Sequence, residues 1–419
     1  MATLAALARR PRPARPLPRR FHCVPALRPA TSLLLALLLW QPTAASAEVS
    51  FIPLPAFDTD PNAGATYGFL PVLLFRDQAD QVRSILAPSV TFNEIRGWTG
   101  TFRYFGYPSA LERVEVVAGY SETIERKLDL HYRNLGLFAN RFHADVQFLH
   151  DRDAAIRFFG LGPESKRENE TNMTVEVTGL YALFGVNISP TTRLSLGEAV
   201  QRFEVRQGGV PGLRFTRDRF PDLPGVNGAT VHAQRIALTY DDRDSLTTPT
   251  RGLTVSLFAE ASSELLGSGS DYIKSGAEAV YLRPLLDRRV TFVVRGLLEA
   301  LAGDAHTPFQ VRPSLGGTTT LRGFSQNRFF GDARVLANVE SRVRVLRLRL
   351  FGVTAEFEVA PFVDVGKVFN STAQFVERGF QVTPGVGFRG LAPPSVVGHI
   401  EVGVSREGPA IFVGLDYPF

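Results

Sequence analysis

The chain has 419 residues, with 46 lysines and arginines against 41 aspartates and glutamates, a formal net charge of +5. Seven arginines and no acidic residue lie within residues 1–47, so the rest of the chain is slightly acidic. The basic charge therefore gives no reason to expect a nucleic-acid partner. The one cysteine, Cys23, lies in the same segment, which excludes disulfides and cysteine-based metal sites from residues 48–419.

Residues 1–47 have the three parts of a cleaved export signal. An arginine-rich start precedes an apolar core at 33–40 and the small residues Ala45, Ser46 and Ala47. We expect cleavage after Ala47, which leaves residues 48–419 as one domain. The alternative is an organelle transit peptide, because the segment before the apolar core is long and free of acid.

Residues 48–419 predict strands rather than membrane-spanning helices. Outside the leader, no run approaches the roughly 18 apolar residues that such a helix needs. In 333–345 the odd positions are almost all apolar, whereas the even positions include Asn338, Glu340 and Arg342. In a soluble sandwich the apolar face would be the interior; in a membrane barrel it faces lipid, and polar side chains line the lumen.

The connections between candidate strands alternate between short and long, which is typical of outer-membrane barrels. Long connections are predicted at 153–171 and 206–230, and the last strand at 410–419. The predicted fold is an all-β, transmembrane antiparallel β-barrel of 16 strands, or 18 if the hairpin within 49–75 is included. No stretch remains for a soluble accessory domain.

A glycine-rich loop at 314–324 is the most distinctive local feature. Gly316 and Gly317 allow backbone conformations that other residues avoid. Three threonines then precede Arg322, Gly323 and Phe324. The sequence predicts a shaped loop with a single cation at its tip.

Four stretches resemble the bacterial surface antigen family, the BamA/TamA-like barrels of outer membranes. They are Gly316-Gly317 with Arg322-Gly323-Phe324; Asp241 and Arg243 with Pro249 and Gly252; Glu340 with Asp364 on consecutive strands; and Gly414, Tyr417 and Phe419. The resemblance implies an extracellular loop that folds into the barrel, docking of its tip on acidic strands, and a carboxyl-terminal assembly signal. Because strands are predicted soon after Ala47, we expect no periplasmic POTRA repeat.

If Arg322 enters the lumen, its guanidinium can bind two carboxylates through its planar fork of donors, and Glu340 and Asp364 are the expected partners. The alternative is an exposed loop arginine. Arg342 and Arg344 are expected to pair with Glu356 and Glu358 across their hairpin.

The remaining motif residues are interpreted as architecture or as a signal. Asp241 and Arg243 are expected to fasten a strand end, and Pro249 and Gly252 suit a tight turn. Gly414, Tyr417 and Phe419 have two compatible interpretations. One is an aromatic girdle at the membrane surface, and the other is a recognition tag for the machinery that inserts the barrel.

The sequence shows no motif of catalysis. It has no Gly-x-Ser-x-Gly elbow, no Walker-type loop and no His-Glu-x-x-His, and its histidines are scattered. We therefore expect no catalytic residue, metal or cofactor, and no enzyme activity.

The function that the resemblance implies is insertion or translocation of polypeptides at the bacterial outer membrane, through a weak seam between the first and last strands. Expected partners are membrane lipid, unfolded outer-membrane or secreted polypeptides, and the machinery that inserts the barrel itself. Two alternatives stay open. The chain is a structural or pore-forming barrel, or it is the membrane half of a system with a separate periplasmic component.

Overall fold

The computed structural model describes residues 48–60, 62–79, 81–350, 353–377, 379–392, 395–414 and 417–419. The predicted export signal and Cys23 lie outside the described residues. About two thirds of the described residues lie in strands. The strands are β1 Glu48–Asp60, β2 Gly64–Arg76, β3 Val82–Leu86, β4 Ser89–Asn93, β5 Gly97–Ser109, β6 Glu112–Ser121, β7 Arg126–Gly136, β8 Phe142–Phe158, β9 Thr171–Asn187, β10 Thr192–Gln207, β11 Ala229–Asp241, β12 Gly252–Ser262, β13 Tyr272–Leu285, β14 Val290–Gly303, β15 Ser314–Leu315, β16 Phe329–Phe330, β17 Ala333–Leu350, β18 Val353–Phe369, β19 Gln381–Ala392, β20 Ser395–Ser405 and β21 Gly408–Gly414.

The helical segments are short and lie in connections. They are a left-handed turn at Leu137–Asn140, α-helical turns at Thr216–Arg219 and Thr372–Val376, and 3-10 turns at Arg167–Asn169, Glu264–Leu266 and Phe309–Val311. Among the described residues, no helix is both long and apolar enough to span a membrane.

The wall of the fold is one antiparallel meander in which each strand pairs with its neighbours in sequence. The main sheet has 19 strands within the described residues. Of these, β3 and β4 both pair with β2 and with β5, so they are two halves of one interrupted strand. The wall therefore has 18 positions. The lower predicted count of 16 is wrong, because the hairpin of β1 and β2 is part of the sheet and is paired along its whole length.

Alternation along each strand separates an apolar outer face from a polar inner face. In β17, Val339 and Val345 are exposed on the outside, whereas Asn338, Glu340 and Arg342 are buried inside. The apolar residues thus face outward, opposite to a soluble sandwich, as a barrel wall in lipid requires. The architecture is the predicted all-β membrane barrel.

The first and last strands lie side by side at a seam. The hydroxyl of Thr59 in β1 donates to the carbonyl of Ile411 in β21 at 3.5 Å. Within the described residues, no backbone ladder joins these two strands. The seam is therefore the weakest junction described in the wall.

The longest described connections, 159–170, 208–228 and 304–332, all leave the same end of the meander, here called the long-loop end. The opposite, short-turn end contains the start of β1 and the end of β21. Aromatic residues of two of these loops pack on Phe158 at the end of β8, with ring centroids at 5.2 Å for Phe220, 5.3 Å for Phe309 and 5.7 Å for Phe330. This packing covers the lumen from the long-loop end.

Candidate functional site

The 304–332 connection folds back into the lumen, and two glycines shape its turn. Gly316 and Gly317 have φ values of +120° and +94°. A Cβ atom at Gly316 would lie 2.2 Å from the carbonyl oxygen of Ser325, and one at Gly317 would meet the side chain of Gln326. Only glycine fits both the backbone angle and the space.

The tip of this loop places Arg322 against Asp364 of β18. The guanidinium donates from Nε to Oδ2 at 3.0 Å and from Nη2 to Oδ1 at 2.8 Å, and the Arg322 backbone N–H donates to Oδ2 at 3.1 Å. Both side chains have no exposed surface. Asn338 also donates to Asp364, at 2.8 Å, so the carboxylate is held from two sides.

Arg322 also contacts Glu340 of β17 and Glu401 of β20. Its Nη1 atom donates to Glu340 at 2.8 Å and to Glu401 at 3.0 Å. Its guanidinium lies 3.4 Å above the ring of Phe362. A single side chain at the loop tip therefore connects three strands of the wall.

Arg389 of β19 completes this charge cluster. It donates to Glu340 at 2.7 and 2.8 Å and to Glu401 at 2.8 and 3.1 Å. Arg342 also donates to Glu340, at 2.8 Å. Three arginines thus face three carboxylates in a buried space, which offsets much of the cost of removing the six charges from water.

The backbone of the loop tip fits closely against the wall because glycines occur on both sides. A Cβ atom at Gly403 of β20 would lie 2.1 Å from the carbonyl oxygen of Arg322. At Gly323 of the loop, a Cβ atom would lie 2.7 Å from the side chain of Thr383. The next residue, Phe324, is buried and packs on Phe329 with a centroid distance of 5.0 Å.

The structure brings together the loop residues and acidic residues that the sequence singled out: Gly316, Gly317, Arg322, Gly323, Phe324, Glu340 and Asp364. The predicted ladder differs in part. Arg344 lies 3.5 Å from Glu356 and 3.6 Å from Glu358, but Arg342 turns to Glu340 instead.

Three residues of the site are not predicted from the sequence: Glu401, Arg389 and a second loop arginine, Arg328. Arg328 is almost fully buried and donates to Glu407, in the turn between β20 and β21, at 2.9 Å. It also donates to the hydroxyl of Ser165 at 2.9 Å and lies 3.9 Å above the ring of Phe159. The available signal for Arg328 was an arginine five residues before Ala333, where β17 begins.

The carboxyl-terminal aromatics lie inside the lumen. The strand β21 ends at Gly414, before the predicted 419, and the Tyr417 hydroxyl donates to Glu358 at 2.9 Å. The ring of Phe419 lies 5.2 Å from the guanidinium of Arg295. For these two aromatics the girdle interpretation is wrong, because their polar neighbours are in the lumen and not at a membrane surface.

The turn between β11 and β12 holds the other predicted motif. Arg243 donates to both oxygens of Asp241, at 2.9 and 2.8 Å. Gly252 has φ +122°, and a Cβ atom there would lie 2.6 Å from Cα of Arg243. Within the turn, Asp244 accepts from the backbone N–H of Thr250 at 2.8 Å. Asp244 also accepts from the hydroxyl of Thr250 and from the backbone N–H of Arg251. Partial burial raises the pKa of Asp244, but these hydrogen bonds outweigh the effect of burial and lower the pKa. Pro249 lies in this same turn.

Nothing in the described residues groups three or more histidine, cysteine or acidic side chains as a metal site. The geometry defines a class of protein, a membrane β-barrel whose inward-folded loop is held by a buried ion-pair cluster. Residues 112–393 match the Omp85 superfamily domain, and the chain belongs to that superfamily. Membership places the protein among the bacterial outer-membrane barrels.

Among the solved structures that are similar to this chain are BamA and CdiB. BamA from Haemophilus ducreyi lacking POTRA domains 1–3 is 13% identical, with a TM-score of 0.53 over 93% of this chain and 77% of that chain. CdiB from Escherichia coli is 10% identical, with a TM-score of 0.48 over 88% of this chain and 61% of that chain. The similarity to BamA shows a shared fold alone. Among curated proteins, no sequence matches the chain.

Proposed function

We propose that this barrel inserts or translocates polypeptides at the outer membrane, with the seam between β1 and β21 as its working edge. The observation that carries the proposal is the contrast at the seam. Other wall strands are joined by ladders, whereas one side-chain hydrogen bond of 3.5 Å is described between β1 and β21. An edge with free backbone groups can pair with an incoming strand.

Prolines in β1 support this role. Pro53 faces Pro71 in the register with β2, and neither residue has an N–H to donate. Alternate residues of a strand point their backbone groups to the same edge, so the donors missing at Pro53 and Pro55 belong to the seam side. A strand with missing donors pairs weakly at that edge and is easily separated.

A lumenal cavity of about 730 Å³ adjoins the seam. Its lining includes Leu54 and Pro55 of β1 and Val413 and Gly414 of β21, together with polar residues of the early strands such as Arg103 and Asp151. We propose that a client segment enters from the periplasm at the short-turn end and uses this space before it reaches the seam. The expected partners are membrane lipid, unfolded polypeptides and the machinery that inserts the barrel itself.

The cavity also favours a second candidate function, a pore. Its charged lining would suit water and ions if the loops over the long-loop end move aside. A third candidate, the membrane half of a system with a separate periplasmic component, predicts a soluble partner that copurifies with the barrel. In all three candidates we propose no catalytic activity, no metal and no cofactor.

The proposed function is tested by locking the seam with a disulfide. Thr59→Cys and Ile411→Cys are introduced into residues 48–419, which contain no other cysteine. The protein is reconstituted in lipid vesicles, and insertion of an unfolded client barrel is followed by its resistance to protease. We expect insertion to stop on oxidation and to return on reduction.

The matched control is Thr91→Cys with Thr99→Cys, a pair that already faces across the ladder between β4 and β5. This lock is expected to leave insertion unchanged. Equal insertion by the oxidised and reduced seam variant would refute the working edge. Steady ion conductance by a protein without insertion activity would instead support the pore.

A further inference from the structure

The outer face of the wall carries a polar cluster among apolar residues of β10 and β11. Glu198 lies between Leu196 and Val200 on the exposed face of β10, and its side chain is 55% exposed. Its Oε2 atom lies 2.9 Å from Nε2 of His232 and accepts from the side-chain amide of Gln234 at 3.1 Å. Among the described residues, no hydrogen-bond donor contacts its Oε1 atom. One carboxylate oxygen is therefore free to bind a molecule outside the protein.

The histidine of this polar cluster is fixed on both sides of its ring. Its Nδ1 atom lies 2.6 Å from the carbonyl oxygen of Leu266, in the connection between β12 and β13. A carbonyl oxygen only accepts, so Nδ1 carries a hydrogen, and beside an ionised Glu198 the Nε2 atom donates as well. His232 is then an imidazolium, and the two charges balance. Because a charge on the lipid face of a barrel is costly, this pairing makes a carboxylate tolerable on the outside of the wall.

An apolar groove of about 1000 Å³ begins at the polar cluster and runs toward the short-turn end. Short outward side chains leave this space, and they belong to Ala182, Ala259 and Ala261. The rest of the lining is mostly large and apolar and includes Leu196, Ile236, Phe184 and Phe142. A groove that is apolar along its length and polar at one end suits a hydrocarbon chain that carries a polar group.

Toward the long-loop end, the same outer face becomes basic. Arg202 lies two outward positions beyond the polar cluster in β10; it is 71% exposed, and its Nε atom lies 3.4 Å from Glu204. Arg206 lies 2.7 Å from Glu204 and 3.3 Å from Glu176. Glu176 also pairs with Arg152 at 2.7 Å. Three arginines thus share two carboxylates, which leaves one positive charge in excess, and the guanidinium fork matches the oxygens of a phosphate group.

These features follow one another along β10 in the order of the parts of a lipid. We propose that this outer face binds a phosphorylated lipid of the outer leaflet whose acyl chain carries a hydroxyl group, which is the chemistry of lipid A. A phosphate of the headgroup contacts Arg202, the hydroxyl of the chain donates to Oε1 of Glu198, and the rest of the chain fills the groove. The Cα atoms of these two residues are about 13 Å apart, since a strand rises about 3.3 Å per residue. The long-loop end of an outer-membrane barrel faces the outside of the cell, so the phosphate lies at the surface of that leaflet.

A second copy of the chain fits this face less well. A symmetric dimer would place the groove against the same groove, so that neither would be filled. The strands of the site, β8 to β12, are separate from the seam between β1 and β21. The inference therefore goes beyond the proposed function and does not depend on it.

Lipid binding is measured by native mass spectrometry of the folded barrel, residues 48–419, released from detergent that contains lipid A. The unchanged protein is expected to retain one lipid A per chain. A synthetic lipid A whose chains lack the hydroxyl, and phosphatidylglycerol, are each expected to bind about tenfold more weakly, because no donor reaches Glu198. Glu198→Ala should bind both forms of lipid A equally weakly, whereas Arg202→Ala should weaken both by the same factor.

The groove is tested with Ala259→Phe, which fills it and is expected to abolish retention of lipid A. The matched control is Ala300→Phe, because Ala300 is an exposed alanine of β14 outside the groove, and this variant should bind like the unchanged protein. The shift in gel mobility on heating checks that each variant is folded.

The proposal is overturned if folded Glu198→Ala still prefers the hydroxylated lipid A, or if phosphatidylglycerol binds the unchanged protein as tightly as lipid A does. Dimers that Ala259→Phe dissociates, without retention of lipid A by the unchanged protein, would assign the face to a second copy and would also overturn it.

Discussion

Arg322 is a buried cation whose three carboxylate partners, Asp364, Glu340 and Glu401, have no exposed surface of their own. Removal of one member of such a cluster leaves the others charged in a space without water. The cost is therefore set by the partners that remain and not by the attraction that is lost. An exposed ion pair lacks this penalty, because water solvates the remaining group.

We therefore predict that Arg322→Ala lowers the free energy of unfolding by about 3–5 kcal/mol and frees the loop. Denaturant unfolding in detergent and protease cleavage within residues 304–332 measure the two effects. The matched control is Arg347→Ala, because Arg347 is largely exposed in its pair with Glu356 and should cost about 0–1 kcal/mol. Equal losses for the two variants, with an uncut loop, would contradict a buried anchor.

At the residue scale, the two-residue period identifies the face of the strand on which a side chain lies. It does not tell which inward-facing side chains come into contact. The polar positions of β17 and β18 indicated Glu340 and Asp364 because both alternate with apolar neighbours. Glu401 and Arg389 have the same alternation, yet the contacts of Glu401 with Arg322 and with Arg389 depend on how far the loop reaches along the wall formed by β17 to β20. That distance is a property of the whole fold, and a single sequence does not contain it in local form.

At the scale of elements, the loop tip and β20 fit closely because glycines, Gly323 and Gly403, occur where their backbones approach each other. The backbone of Arg322 lies over Gly403, where a Cβ atom would be 2.1 Å from a carbonyl oxygen that cannot move freely. The same oxygen belongs to the residue whose side chain and N–H are both fixed on Asp364. A methyl group at position 403 must therefore displace the loop tip or the strand.

We predict that Gly403→Ala destabilises the protein by about 1–3 kcal/mol, the usual cost of overpacking. The loop should also become accessible to protease, although every charged residue of the cluster is intact. Gly100→Ala is the control, because a Cβ atom at Gly100 meets nothing within 4 Å. An unchanged unfolding midpoint for Gly403→Ala would mean that the loop tip does not press on β20.

Strands are predictable from the sequence where apolar and polar residues alternate regularly. The end of a strand is not predictable where its residues contact distant parts of the chain instead of a neighbouring strand. The hairpin of β1 and β2 and the long run of β17 follow the two-residue period. The last strand was predicted to continue to 419, but the described strand ends at Gly414, and Tyr417 and Phe419 contact residues of the lumen. Tyr417 and Phe419 have the alternation of a strand. Their partners, Glu358 and Arg295, lie in β18 and β14, so the sequence near the carboxyl end does not indicate these contacts.

At the scale of the whole molecule, the loop is bound at two places to the hairpin of β20 and β21, which lies beside the seam. Its tip binds Glu401 in β20, and Arg328 binds Glu407 in the turn between β20 and β21. The same loop binds Asp364 in β18, two strands away from β20 in the wall. The loop is thus an internal strut that joins the last hairpin to β18, which restrains the strand that borders the seam.

We predict that Arg328 and Glu407, the outer contact between the loop and the last hairpin, stabilise the protein as a pair. In a double-mutant cycle, Arg328→Ala and Glu407→Ala should show a coupling free energy of about 0.5–3 kcal/mol, because the second substitution removes a partner that the first has already left alone. Unfolding by denaturant measures each corner of the cycle. Arg328→Ala with Asp77→Ala is the control, since Asp77 lies at the short-turn end in the connection between β2 and β3 and binds Arg83.

A strut also predicts an effect at the seam. The disulfide between Thr59→Cys and Ile411→Cys forms only when β1 and β21 are adjacent, so its rate of formation reports how often the edges meet. If the loop restrains the last hairpin, Arg328→Ala should change this rate, whereas the ladder pair Thr91→Cys and Thr99→Cys should be unaffected because its strands stay paired. If the rate of disulfide formation at the seam is unchanged and the coupling free energy is near zero, the loop does not restrain the working edge.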